Sequence, residues 1–242
     1  MDNIIEPECV IVSRPKSGLH WVRHCVEYFS GCRTPGVRRA FPLEELKYPN
    51  KYILARTHDV RSKNNMITEL RCRFYNKDGT PIFKKMILLL RNYKECFMRS
   101  YVDYRSNSLL KAYYRNINAY DIFQGDKLLI YYEDIVNDFS EMEKVLKFLN
   151  IEYNLDGFDV KKHAKLSLEA YNENLLERDK KPFGRRLRMC VPVVDTQDLL
   201  KHGRCIIPEE RKQLDLRVEK CNKVLFKKYL TRYKEENLDY GV

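Results

Sequence analysis

The segment Ser13-Arg14-Pro15-Lys16-Ser17-Gly18-Leu19-His20-Trp21 has the residue types of an anion-binding loop. It follows the apolar run Cys9–Val12 and leads into a helical pattern. In that setting the backbone N–H groups of the turn and of the helix start would face an anion. Lys16 would add a point charge. Taken alone, the segment reads equally as a surface turn with a solvated lysine. The chain has no Gly-Lys pair, so the G-x-x-x-x-G-K-[ST] loop of ordinary ATP and GTP enzymes is not supported. His20 and His24 stand four apart, the spacing of a zinc pair, but the glutamate of H-E-x-x-H is missing. Asp134 follows a strand candidate, where a kinase would hold magnesium; a cap for the next turn is the expected role. The basic run Arg178, Lys180, Lys181, Arg185, Arg186 and Arg188 contains Pro182 and Gly184. It reads as a solvated loop, or as one that closes over an anionic acceptor.

These residues need elements to hold them. Trp21, Val22, Cys25, Val26 and Phe29 recur at helical spacing, and Gly31 stands where that helix should stop. Tyr52–Ala55 is a second strand candidate. Met86–Leu90 is a third, continuously apolar as a parallel strand covered on both faces should be. Helices are expected over about 94–105 and 109–122. Leu128–Tyr132 reads as a fourth strand, and Met142, Val145, Leu146 and Leu149 mark the next helix. Residues 151–207 read as short helical pieces, and Pro208 opens a last helical region running to about Glu236. The order predicts a single α/β domain over 1–242: a central parallel sheet flanked by helices, with an irregular, partly helical C-terminal third.

The 242 residues are enough to bury a core without staples. Lys plus Arg is 45 against 34 Asp plus Glu, a net charge of +11 that suits an anionic ligand. No stretch is apolar enough for a membrane span and the acidic start does not read as a signal peptide, so a cytoplasmic protein is expected. None of the 8 cysteines forms a C-x-x-C pair, which predicts reduced and mostly buried thiols.

Pro15-Lys16-Ser17-Gly18-x-x-Trp21 resembles the P-K-x-G-T-T-W loop of the sulfotransferase family, especially its cytosolic branch. Three further segments match in the family's order. Arg56-Thr57-His58 is similar to K-T-H, Leu89-Leu90-Arg91-Asn92 with Ser100 to R-[DN]-P…S, and Tyr131-Tyr132-Glu133-Asp134 to Y-E-D. Lys201-His202-Gly203 is a weaker match to R-K-G. The resemblance spans roughly residues 9 to 235.

The resemblance implies transfer of a sulfuryl group from 3′-phosphoadenosine 5′-phosphosulfate to a hydroxyl or amine, leaving adenosine 3′,5′-bisphosphate. It implies a P-loop-like phosphosulfate-binding loop formed by Arg14, Pro15, Lys16, Ser17, Gly18, Leu19, His20 and Trp21. Lys16 would stabilise the leaving phosphate. His58 would be the general base, and its ordinary pKa of about 6.5 suits that task near neutrality. Arg91, Ser100, Lys201, His202, Gly203 and Arg204 would hold the 3′-phosphate, while Trp21 and Tyr132 flank the adenine. The scheme needs no metal.

The chain departs from the pattern at several positions. Leu19 and His20 replace the loop threonines, and only His20 keeps a donor. Tyr93 stands where the family has proline. Ser100 lies one residue further from Arg91 than usual, which puts Arg99 in the serine register; one residue rotates a helix by about 100°. His202 replaces a lysine, and Arg204 can supply that charge. The acceptor is expected to be a small molecule or glycan, with anionic acceptors favoured by the basic loops at 33–50, 60–82 and 170–200. Two rival classes are a nucleotide or small-molecule kinase on a related fold and a basic nucleic-acid-binding protein. The first lacks Gly-Lys-Ser/Thr, and the second lacks a motif interleaving its basic residues with its 17 tyrosines.

Overall fold

The computed structural model describes residues 7–35, 40–61, 65–66, 71–72, 74–98, 107–179 and 208–234. Its centre is a sheet of six strands. They are β1 (Cys9–Ser13), β4 (Ala55–Thr57), β5 (Asn65–Met66), β6 (Arg71–Cys72), β7 (Lys85–Leu90) and β8 (Asp126–Tyr131). The order across the sheet is β6-β5-β4-β1-β7-β8. The four strands β4, β1, β7 and β8 are parallel, while β5 and β6 extend the edge antiparallel. Between β1 and β4 the strands β2 (Cys32–Arg33) and β3 (Tyr48–Tyr52) pair in a small parallel sheet of their own.

Strand alternation sorts the core into two layers. Cys9, Ile11, Ile87, Leu89 and Ile130 point to one face. There they meet α1 (Leu19–Ser30) and α5 (Ser140–Phe148) through Val22, Cys25, Val26, Met142, Val145 and Leu146. Val10, Val12, Met86, Leu88 and Leu90 point to the other face. That face is covered by α3 (Asn107–Ile122), α7 (Pro208–Cys221) and α8 (Lys223–Tyr229). Met86–Leu90 is buried along its whole length, as a strand between two helical layers must be. Gly31 ends α1 in the left-handed conformation, φ 64°, and its N–H donates to Glu27 O at 2.9 Å. Among the described residues no helix is long and apolar enough to cross a membrane.

The chain departs from the expected elements in three places. Tyr52 and Ala55 belong to different strands, because Tyr52 ends β3 in the small sheet while Arg56 and Thr57 pair with β1. Part of the stretch expected as short helical pieces is one long helix, α6 (Val160–Asp179), packed on α1. Its buried residues include His163 and Ser167, so its inward stripe carries polar side chains that apolar periodicity does not register. The last helical region breaks between α7 and α8 at Asn222, whose side chain accepts from Leu225 N–H at 3.0 Å and caps the second helix.

The short helix α2 (Tyr93–Met98) follows β7 and is locked to the C-terminal segment by charge. Lys94 Nζ lies 2.7 Å from Asp215 on α7, and both side chains are buried. Tyr93 Oη donates to the same carboxylate, and Lys94 also donates to the Tyr233 carbonyl. Removing one partner of a buried ion pair leaves an uncompensated charge. Asp215→Asn should therefore cost about 3–5 kcal/mol in urea denaturation, and Lys94→Met/Asp215→Leu should recover most of it. Equal loss in the single and double variants would show that packing, not charge, sets the cost.

Candidate functional site

The chain of crossovers reverses direction beside β1: β4 lies on one side of it, β7 on the other. In an open parallel sheet the crevice at such a point, outside the carboxyl ends of the strands, is where ligands bind. Residues 14–18 form the turn from β1 to α1 there. Ser17 N–H donates to Arg14 O at 3.2 Å, and Lys16 and Gly18 both adopt left-handed backbone, φ 74° and φ 83°. α1 then starts with no side-chain cap and no carboxylate in its first turn. Among the described residues its first N–H groups and its positive dipole end meet no capping side chain.

Neighbours from distant segments fix this loop. Arg91 Nη1 donates to the Lys16 carbonyl at 3.2 Å. The Arg91 guanidinium lies 4.4 Å from the centroid of Tyr132, the first residue of α4 (Tyr132–Asn137). The Tyr132 ring in turn covers Gly18, where a methyl group would stand 1.9 Å from Cδ2 of the tyrosine. Ser17 is fully buried, with Oγ 3.4 Å from Cys96 Sγ beneath it. Lys16 Nζ donates to Tyr171 Oη on α6 at 2.9 Å, and the His20 ring meets Tyr171 edge-on at 5.3 Å. Pro15 is half-buried in the turn, and the Leu19 side chain is buried in the core. Trp21 stacks on His24 at 5.7 Å. Loop residues 14–21, Arg91 and Tyr132 are therefore gathered at one end of the sheet.

The end of β4 brings His58. Its Nδ1 lies 3.1 Å from Ser13 O, and Arg56 Nη1 lies 3.2 Å from its Nε2. A guanidinium only donates and a carbonyl only accepts. The proton therefore sits on Nδ1, and Nε2 presents its lone pair to Arg56. Burial, then the charges of Arg56, Arg14 and Arg23, push the His58 pKa down to about 4 against the pull of the Ser13 carbonyl. The ring is neutral at pH 7, but not because it titrates near 6.5 as expected.

α3 holds this histidine from behind. Asn116 Nδ2 donates to His58 O at 3.0 Å and its Oδ1 accepts from Val60 N–H at 3.2 Å. Arg115 grips both oxygens of Asp59. One turn earlier, Tyr113 Oη donates to Arg91 O at 3.0 Å. Sequence analysis passed over Asn116; the signal was a polar residue among Leu110, Tyr113, Tyr114, Ile117 and Tyr120 on an apolar helix face. Tyr171 gave no such signal, since it reaches the loop from a helix with a weak pattern. Glu133 bridges Asn92 N–H at 2.9 Å and Tyr233 Oη at 2.8 Å. Asp134 does not cap the next turn with its side chain; it pairs with both Arg232 Nη atoms at 2.8 and 2.6 Å.

Ser100, Arg99, Lys201, His202, Gly203 and Arg204 lie outside the described residues, as does 180–188 of the basic run. Both ring nitrogens of His24 are engaged, Nδ1 2.8 Å from Ala40 O and Nε2 3.2 Å from His163 Nδ1, so the pair with His20 is not a free ligand set. Burial lowers the His24 pKa to about 4 as well. His24 and His58 thus stay neutral when folded while the unfolded chain takes up protons, so stability falls as pH drops from about 6.5 toward 4.

Gly18→Ala should destabilise the chain by more than about 1 kcal/mol, combining left-handed backbone with the Tyr132 contact. In a double-mutant cycle, Tyr132→Ala should return the steric share and leave the backbone share. Simple additivity of the two losses in thermal denaturation would mean that the ring and the glycine do not meet.

No protein-family model matches the chain, and neither does any curated protein sequence.

Proposed function

We propose that the chain is a sulfotransferase, moving a sulfuryl group from 3′-phosphoadenosine 5′-phosphosulfate to a hydroxyl or amine on a small-molecule or glycan acceptor. One observation carries the reading. Arg91, Tyr132 and His58 come from three separate segments, and each touches residues 13–18 directly. These are the residues that the family resemblance ties to 3′-phosphate, adenine and acceptor. The charge also fits such a donor: Lys16, Arg91 and an uncapped helix start lie together.

When bound, the donor supplies the sulfuryl group and a phosphate leaving group. The chain's own groups supply the rest. The loop N–H groups and Lys16 Nζ neutralise charge on the 5′-phosphate. To do so Lys16 gives up Tyr171 Oη as its hydrogen-bond acceptor. Arg91, held by the Lys16 carbonyl and stacked on Tyr132, offers its charge to the 3′-phosphate. Ser100 and the 201–204 segment complete that site in this reading. Tyr132 and Trp21 flank the base in this reading. His58 Nε2 takes the acceptor proton, and the acceptor hydroxyl replaces Arg56 as its hydrogen-bond donor. The Nδ1–Ser13 bond fixes the tautomer this requires.

Adenosine 3′,5′-bisphosphate should bind at least about tenfold more tightly than adenosine 5′-monophosphate, since charge-assisted hydrogen bonds contribute about 1.5–3 kcal/mol each. Calorimetry giving equal affinities would remove the 3′-phosphate site. Within that site, a selective loss of bisphosphate on Ser100→Ala would assign the phosphate to Ser100, and the same loss on Arg99→Ala would assign it to Arg99.

His58→Ala should abolish most turnover and leave bisphosphate affinity within a few-fold, whereas Lys16→Ala should lower both. The wild-type rate should hold through pH 6 and fall only as the pH nears 4, where His58 protonates. Single-turnover transfer at a series of pH values reads this directly. Near-normal turnover in a folded His58→Ala protein would sink the base assignment.

A further inference from the structure

Arg14 takes no part in the contacts that bind the loop together, apart from its carbonyl. Its Nε is buried and has no hydrogen-bond partner among the described residues. Other arginines around the crevice have side-chain or carbonyl partners: Arg91 the Lys16 carbonyl and Glu95, Arg115 Asp59, Arg23 Thr34 and Glu27, and Arg56 the His58 ring. Burial lowers the proton affinity of Arg14, and the Asp59 charge opposes this. Yet Asp59 has both oxygens taken by Arg115. A buried donor left unmade is costly, so a chain that keeps one at a ligand site is open to completion by the ligand.

The position of Arg14 says which part of a ligand it meets. It directly follows Ser13, whose carbonyl holds His58 Nδ1. Its charge acts on His58 and on Cys96, and Cys96 lies against Ser17 beneath the loop. It is thus within electrostatic reach of both the proton-accepting ring and the phosphate loop. Arg91 is stacked on Tyr132, and Lys16 is drawn toward α6. Arg56 is held on His58 Nε2, where the acceptor must enter, which leaves Arg14 to meet the group that passes between loop and acceptor.

We propose that Arg14 is a catalytic residue, donating from its guanidinium to the oxygens of the sulfuryl group during transfer. This rests on the sulfotransferase reading. In that step the acceptor oxygen–sulfur bond forms as the bond from sulfur to the bridging oxygen breaks. The released electron pair stays on the 5′-phosphate, and the acceptor proton goes to His58 Nε2. The transferred group carries its negative charge on three oxygens, and a planar guanidinium can meet two of them at once. The product bisphosphate has no sulfuryl group, so Arg14 acts on transfer and not on product affinity.

The test uses the full chain with Arg14→Gln and Arg14→Lys. Single-turnover transfer should fall about 100-fold in Arg14→Gln and be partly restored in Arg14→Lys. Calorimetric affinity for adenosine 3′,5′-bisphosphate should stay within about threefold in both. Independently of any donor, the His58 ring titration followed by NMR should shift upward in Arg14→Gln and remain low in Arg14→Lys, because the lysine keeps the charge. Transfer at the wild-type rate in Arg14→Gln would overturn the assignment. So would a parallel loss of bisphosphate affinity, which would put Arg14 on a phosphate, or an unmoved His58 titration. Failure of the wild-type chain to bind bisphosphate at all would overturn the sulfotransferase reading itself, and is read separately.

Discussion

The crevice depends on a contact with no room in it. The Tyr132 ring lies against the Cα of Gly18, closer than any side chain at that position would permit. This fixes the end of β8 against the start of α1, although the two are separated by more than a hundred residues. Arg91 joins them, its guanidinium 4.4 Å from the Tyr132 ring centroid and its Nη1 donating to the Lys16 carbonyl. Backbone, ring and guanidinium form one layered unit. The left-handed φ of Gly18 and of Lys16 is tolerated because that unit over-determines the turn.

Around this unit the two helical layers do different work. The α1/α5 layer is mainly aliphatic against the sheet and gives the loop a rigid floor. The opposite layer is rich in tyrosine, and several of its hydroxyls are spent on carbonyls and carboxylates: Tyr113 on Arg91 O, Tyr114 on Val218 O, Tyr131 on Tyr229 O, Tyr93 on Asp215. A buried phenol brings area and demands a partner. Here the partners lie at the ends of elements, so the aromatic core also sets where β7, α3 and the C-terminal helices stop relative to one another. α3 carries this furthest, binding the carbonyls of both His58 and Arg91 from adjacent turns.

Much of this was legible in the chain because it rests on local pattern. The continuous run Met86–Leu90 announces a strand buried on both faces, and Gly31 announces the end of α1. The resemblance of the matched segments to the sulfotransferase pattern implied a common site for His58, Arg91 and Tyr132, and all three touch residues 13–18. Other features depend on partners far away in sequence. β5 and β6 are too short for periodicity to reveal. The inward side of α6 includes His163, Ser167 and Tyr171, which a hydrophobicity pattern treats as surface. The low proton affinity of His58 comes from burial and from Arg56, Arg14 and Arg23, and Arg23 sits on a different element altogether. No property of the histidine itself carried that information.

The register of β1 has a consequence for how the chain is made. β1 leaves the ribosome before either strand it pairs with, for both are parallel and far downstream: Val12 pairs with Thr57, Ser13 with Leu89. At about 5–20 residues per second, several seconds pass between synthesis of Ser13 and synthesis of its β7 partner. Hydrophobic collapse of small chains takes microseconds. For all that time the apolar segment Cys9–Val12 is without its central sheet partner. The nascent chain must either keep that segment covered by α1 or hand it to a chaperone, and the crevice takes shape only after β7 arrives.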